Sequence, residues 1–220
     1  MGNIPGEGNG AFHFRRSRTI IYPGYVIVML RIDYEKYNRI SIEPCKNVYP
    51  PSEDTFLVLD NIVPGHTVLE IGCGSGIISV YCATLGSTVT CCDVSEAALA
   101  CTEKNAIRNH VTLDLINSNL FQRITGKFDT IIFNPPYLPT EDRIENSEQW
   151  DGGTTGFDIT RPFLNDAADH LEDGGTIYLI LSSLTNIDAL VSEYKNYDFK
   201  EKARDSFFFE TLFLFEVHKK

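Results

Sequence analysis

The chain has 220 residues, 43% of them hydrophobic, and a formal net charge of −11. That length supports one substantial core and would leave two full domains cramped, and the negative balance disfavours the phosphate contacts on which most nucleic-acid binders depend. Six cysteines (Cys45, Cys73, Cys82, Cys91, Cys92 and Cys101) form no CxxC pair and the five histidines are scattered, so no metal site or disulfide framework is predicted, and the thiols are expected to be free in a reducing cytosol.

Residues 1–28 differ from the rest, carrying Arg15, Arg16 and Arg18 against Glu7 alone. They are expected to be an N-terminal extension, either disordered or a product of gene calling, because Met29 offers a second start and would leave residues 29–220 as the single domain. The apolar stretch 19–30 is interrupted by Pro23 and Gly24. It is too short to span a bilayer and has no small-x-small cleavage site, so a cytoplasmic protein without a membrane segment is expected.

From Ser52, a good N-cap followed by acidic residues, a helix is predicted as far as the Pro64-Gly65 turn. Strand-length and helical patterns then alternate over residues 67–71, 77–85, 88–92, 95–109, 111–116, 130–133, 161–171 and 176–181. This alternation predicts a parallel sheet covered by helices on both faces. Phe207-Phe208-Phe209 and residues 211–218 are two β-rich runs with no helix between them, which predicts a closing antiparallel hairpin. The polar stretch 140–158 is too long for a simple connector and is expected to be a binding loop.

Four stations carry chemistry. After the first strand, Glu70-Ile71-Gly72-Cys73-Gly74-Ser75-Gly76 places a glycine turn at a helix N-terminus. Its G-x-G-x-G spacing, with an acidic residue two positions earlier, suits a ligand with an amino-acid tail and no pyrophosphate. The next strand ends at Asp93, 23 residues after Glu70, where a carboxylate can accept both hydroxyls of a ribose. The third strand ends near Asn119-Leu120, a polar and an apolar residue placed to meet an adenine amino group and its ring. The fourth runs into Asn134-Pro135-Pro136-Tyr137. Two prolines stiffen the backbone there and cannot continue a sheet. The Asn134 amide oxygen and the Pro135 carbonyl then offer two acceptors at fixed spacing for the hydrogens of a planar NH₂, with Tyr137 as a stacking face. Such a nitrogen is a poor nucleophile, so orienting it is the catalytic need.

With the stations in the order Glu70, Asp93, Asn119, Asn134, the sequence resembles the HemK family, glutamine N5-methyltransferases of peptide-chain release factors, in its archaeal and eukaryotic branch. The resemblance runs from about Val48 to Val217. It implies a Rossmann-like class I methyltransferase fold dependent on S-adenosylmethionine (SAM): an α/β architecture with a seven-stranded, mostly parallel sheet and a C-terminal antiparallel hairpin. Tyr49-Pro50-Pro51-Ser52-Glu53-Asp54-Thr55 resembles the branch's opening motif, which implies that Thr55 helps hold SAM. Trp150-Asp151-Gly152-Gly153 and Gly156 resemble its substrate loop, and Glu210-Thr211-Leu212 its closing hairpin. The family usually has Asp where this chain has Asn119, which would meet adenine without charge. The branch's small zinc-binding activator subunit implies a partner adding a strand at the edge 111–116, where Val111, Leu113 and Leu115 are expected to alternate toward one free face. The runner-up activity is methylation of a nucleic-acid amine (adenine N6, cytosine N4 or guanine N2), which would call for a basic groove.

Overall fold

The computed structural model describes the backbone of residues 18–22 and 25–29, and residues 37, 40–136 and 155–220 in full. Strands β1 (Arg18–Tyr22) and β2 (Tyr25–Met29) pair antiparallel, from Arg18 with Met29 to Tyr22 with Tyr25. Helix α1 (Glu53–Asn61) starts at Ser52, as predicted, and ends before Pro64. Strand β3 (Thr67–Ile71), helix α2 (Ile77–Thr84), strand β4 (Thr88–Asp93) and helix α3 (Glu96–Arg108) follow within a residue or two of their predicted bounds. Helix α3 is capped by the Ser95 side chain, which accepts from the Ala98 amide at 3.3 Å.

Strand β5 is shorter than predicted, Asp114–Asn117, because Val111 and Leu113 are drawn onto the core instead of lining a free face. Strand β6 (Phe128–Phe133) and helix α4 (Thr160–Ala167) precede a long strand β7 (Leu171–Ser182). Leu171 therefore opens a strand and does not close a helix. A short helix α5 (Ile187–Glu193) had no clear periodic signal, and it leads to strands β8 (Tyr197–Ser206) and β9 (Thr211–Lys219). The closing hairpin is present, but the three phenylalanines form its tip and not its first strand.

Seven strands make one sheet in the order β5-β4-β3-β6-β7-β9-β8, parallel except for β9, which runs against β7 and β8. Period-two alternation feeds two cores. Val68, Ile132 and Ile180 face α1 and α2, while Leu69, Ile131, Phe133 and Leu179 face Phe163 and Leu164 of α4 and Leu190 of α5. Burying both faces of the central strands is what a parallel sheet requires.

Two of the cysteines depart from expectation. Cys45 and Cys101 are joined in a disulfide, with Cα atoms 5.9 Å apart, whereas Cys73, Cys82, Cys91 and Cys92 are buried free thiols. The bridge exists because the segment before α1 lies along α3: Asn105 exchanges hydrogen bonds with the Glu43 backbone and Asn109 with that of Ser41. No sequence spacing signals a pair 56 residues apart.

Candidate active site

Strands β3, β4, β5 and β6 end level with one another. Ile71 pairs with Cys92 and with Phe133, and Asp93 pairs with Asn117. Asn117, Asp93, Gly72 and Asn134 therefore stand in a row across adjacent strands, about 14 Å from end to end at the usual strand spacing. The carboxyl ends of parallel strands are where open α/β sheets bind ligands.

The three glycines after β3 divide their tasks. At Gly72, with φ of +71°, an added Cβ would meet nothing within 4 Å, and at Gly74 it would meet only the Tyr49 carbonyl at 4.0 Å. These two leave open space for a ligand against the backbone. At Gly76, the left-handed N-cap of α2, a Cβ would fall 2.6 Å from Thr102 Cγ2, so this glycine lets α3 approach. The loop's shape is held from α3 as well. Thr102 Oγ1 donates to the Gly74 carbonyl at 3.1 Å, and the fully buried Asn105 donates to the Ser75 carbonyl at 2.9 Å. Sequence reading missed Asn105, because a helix-interior asparagine has no local signature of what it will touch.

Asp93 is half-buried at the end of β4. Its Oδ2 accepts from the Gly74 amide at 3.1 Å and its Oδ1 from the Ser95 amide at 2.9 Å. Each carboxylate oxygen retains acceptor capacity beyond these bonds. Beyond β5, Asn119 is exposed. Leu120 holds a left-handed φ of +48°, uncommon for a leucine and of the kind that collects at functional sites. Its carbonyl is pinned by Ser118 Oγ at 2.9 Å, while its side chain rests partly on the core.

At the end of β6, Pro135 is buried and Asn134 half-buried, yet the Asn134 Oδ1 atom is buried without a hydrogen-bond partner. A buried acceptor left unpaired is costly and rare in folded proteins. Tyr137 and the motif Trp150-Asp151-Gly152-Gly153 lie outside the described residues.

Glu70 points beneath the row. Its Oε2 accepts from the Ser79 amide at 2.9 Å and from the Ser79 hydroxyl, tying β3 to the first turn of α2. Complete burial pushes its carboxyl up to about 8, against the pull of the two Ser79 bonds. Because the folded value lies above the ordinary 4.5, this group's contribution to stability is full below pH 4.5 and is lost as pH rises through 8. The unfolding free energy of the wild type is expected to fall across this window by an amount on the order of a few kcal/mol, and its thermal midpoint with it. Glu70→Gln, which mimics the protonated form, is expected to flatten that slope. Equal slopes in thermal melts between pH 5 and 9 would contradict this assignment.

Thr55 sits in the first turn of α1, where its hydroxyl donates to Asp54 Oδ1 at 3.1 Å and accepts from the Ser52 amide at 3.4 Å. Burial pushes the Tyr49 phenol up to about 12, and the charges of Asp54, Glu53 and Glu210 act in the same direction. The Tyr49 carbonyl lies beside Gly74, so Tyr49 borders the glycine turn.

A family model described as the methyltransferase small domain matches residues 54–206. A Methanocaldococcus jannaschii protein, provisionally named a protein N5-glutamine methyltransferase, is 38% identical over 160 residues, covering 70% of this chain and 81% of that one. Methyltransferase HEMK2 of Mus musculus is 30% identical over 178 residues, covering 72% and 83%. Among solved structures, the E. cuniculi Mtq2–Trm112 complex, described as responsible for methylation of the eRF1 translation termination factor, superimposes with a TM-score of 0.64 at 22% identity over 79% of this chain and 99% of that one. By the residues matched and the share of each relative covered, the chain belongs to the methyltransferase small domain family and, within it, to the archaeal and eukaryotic HemK branch of SAM-dependent protein-glutamine N5-methyltransferases.

Proposed function

We propose that the chain methylates the side-chain amide nitrogen of a glutamine displayed in a Gly-Gly-Gln loop of a peptide-chain release factor. The observation that carries this reading is the unpartnered, buried Asn134 Oδ1 at the end of β6, an acceptor placed where an incoming N–H would satisfy it. The open space at Gly72 and Gly74 and the acceptors on Asp93 fit SAM. That cofactor, when bound, supplies an electrophilic methyl group on a sulfonium.

In this reading Gly72 and Gly74 admit the amino-acid end of the cofactor. Asp93 accepts from its ribose hydroxyls, and Asn119 and Leu120 flank its adenine. Asn134 and the Pro135 carbonyl hold the two amide hydrogens, turning the nitrogen lone pair toward the methyl group, and Tyr137 stacks on the amide plane. The nitrogen gains the methyl and releases one proton to water. The chain's net charge of −11 favours a cationic cofactor and opposes a phosphate backbone, so methylation of a nucleic-acid amine is the weaker reading. Radiolabelled methyl transfer to a purified release factor, its Gln→Ala variant and a structured RNA separates the two. Label on the RNA alone would overturn the proposal.

A second protein belongs to this reading. Among the described residues, β5 pairs only with β4, leaving a sheet edge open. A small zinc-binding activator that adds a strand at this edge would close it. Leu115, half-buried within β5, is the residue to test, since Leu113 belongs to the core. Co-expression with such a subunit is expected to yield a 1:1 complex on size exclusion that Leu115→Lys disrupts. Separate elution together with full activity of the lone chain would end the partner proposal. We further propose a cytoplasmic location, and that residues 29–220 suffice for activity. Among the described residues no helix is long and apolar enough to cross a membrane.

A further inference from the structure

The tip of the closing hairpin has the wrong residues for a turn. The Phe207 amide donates to the Glu210 carbonyl at 2.7 Å, which leaves Phe208 and Phe209 as the two turn residues. Such positions usually hold Gly, Asn, Asp or Pro, each for a conformational reason. Neither phenylalanine has a positive φ, and neither is buried: Phe208 is 91% and Phe209 83% exposed. Among the described residues the rings meet only each other, edge to face, with centroids 4.5 Å apart. Turn geometry and core packing therefore both fail to explain them, and a contiguous exposed aromatic pair marks a contact site.

Its place in the fold says what it contacts. Phe133 is level with Leu179 of β7, so Asn134 is level with Ile180. Strand β7 continues to Ser182, which pairs with Leu212 of β9, and the tip lies beyond Thr211 on the same edge of the sheet. Ser182 Oγ donates to Glu210 at 2.5 Å, and the Ser183 side chain accepts from the Thr211 amide at 2.8 Å, so the hairpin is braced against the end of β7. Counting residues and strands, the tip stands roughly 20 Å from Asn134 on the substrate side. That is too far to touch the reacting amide. It is the right reach to grip the folded protein around the target loop.

We infer that Phe208 and Phe209 form a docking element for the body of the protein substrate, seated on an apolar patch beside the loop that enters the active site. This rests on the protein-glutamine reading above. Acidic neighbours Asp205 and Glu210 at the hairpin suit a basic rim around that patch. The pair sets affinity for the whole substrate and leaves the chemistry alone.

The test compares two substrates, a purified release factor and a pentapeptide centred on the Gly-Gly-Gln glutamine, whose two residues on either side extend about 7 Å and never reach the tip. For the Phe208→Ser/Phe209→Ser double variant, KM for the whole protein is expected to rise roughly 10- to 100-fold, the scale of lost aromatic anchors. Rates on the pentapeptide and SAM affinity are expected to stay within about twofold of wild type. Phe208→Tyr/Phe209→Leu is expected to restore most of the affinity, which a fold defect would not allow. An unchanged KM for the whole protein, or equal losses on both substrates, would overturn the docking role. Wild type that labels neither substrate even when co-expressed with the activator subunit would instead overturn the glutamine reading and this inference with it.

Discussion

Asn134→Ala is expected to lower the methyl-transfer rate by about 100-fold or more while SAM affinity changes by less than about threefold. The asparagine stands one residue beyond β6, held by Pro135 and Pro136, so its amide is positioned before substrate arrives and loses little freedom on binding. The same variant carries an unusual stability expectation. Because Oδ1 is buried with no partner in the free protein, removing it deletes an unsatisfied acceptor, and the thermal midpoint is expected to hold or rise. Single-turnover rates, calorimetric SAM affinity and melting of one preparation decide the matter. If rate and affinity fell together, or if the midpoint dropped sharply, Asn134 would be a structural residue and not the group that orients the amide.

Asp93→Ala is expected to weaken SAM binding by about 1–3 kcal/mol, or roughly 5- to 150-fold. Two effects combine here. The carboxylate is placed to accept from ribose hydroxyls, and it already bonds the Gly74 and Ser95 amides, so its loss also loosens the glycine turn and the start of α3. Asp93→Asn separates them, since an amide oxygen can keep one backbone bond while the charge is removed. Its affinity is expected to lie between those of wild type and the alanine variant, with the melting midpoint near that of wild type. Calorimetry showing unchanged affinity for both variants would remove Asp93 from the cofactor site.

How much of this was legible beforehand follows from the range of the forces involved. That the glycine turn, Asp93 and Asn134 stand at the carboxyl ends of strands could be read from sequence, whereas Asn119 lies two residues past the end of β5. Strands announce themselves through nearest-neighbour alternation and their ends through glycine and proline. Once those strands are parallel and adjacent, their ends align, so the row formed by these candidate residues is implied by local pattern alone. Where several weak signals competed, boundaries drifted. Leu171 fell to β7 because pairing with Phe128 outweighed its helical context, and Val111 and Leu113 left the predicted strand for the apolar core.

Other features depend on segments distant in the chain and leave no local trace. Cys45 meets Cys101 only because the segment before α1 docks along α3. Glu70 reads as a ligand residue by motif position, yet strand alternation turns it under the sheet to Ser79, and only the packed interior raises its carboxyl to about 8. The Phe207-Phe208-Phe209 run has strand propensity in every residue, but the β8–β9 register places it at a turn. Local propensity set the elements and their order, while docking and register, which act between residues far apart in sequence, decided which side chains are buried, bridged or left in the open.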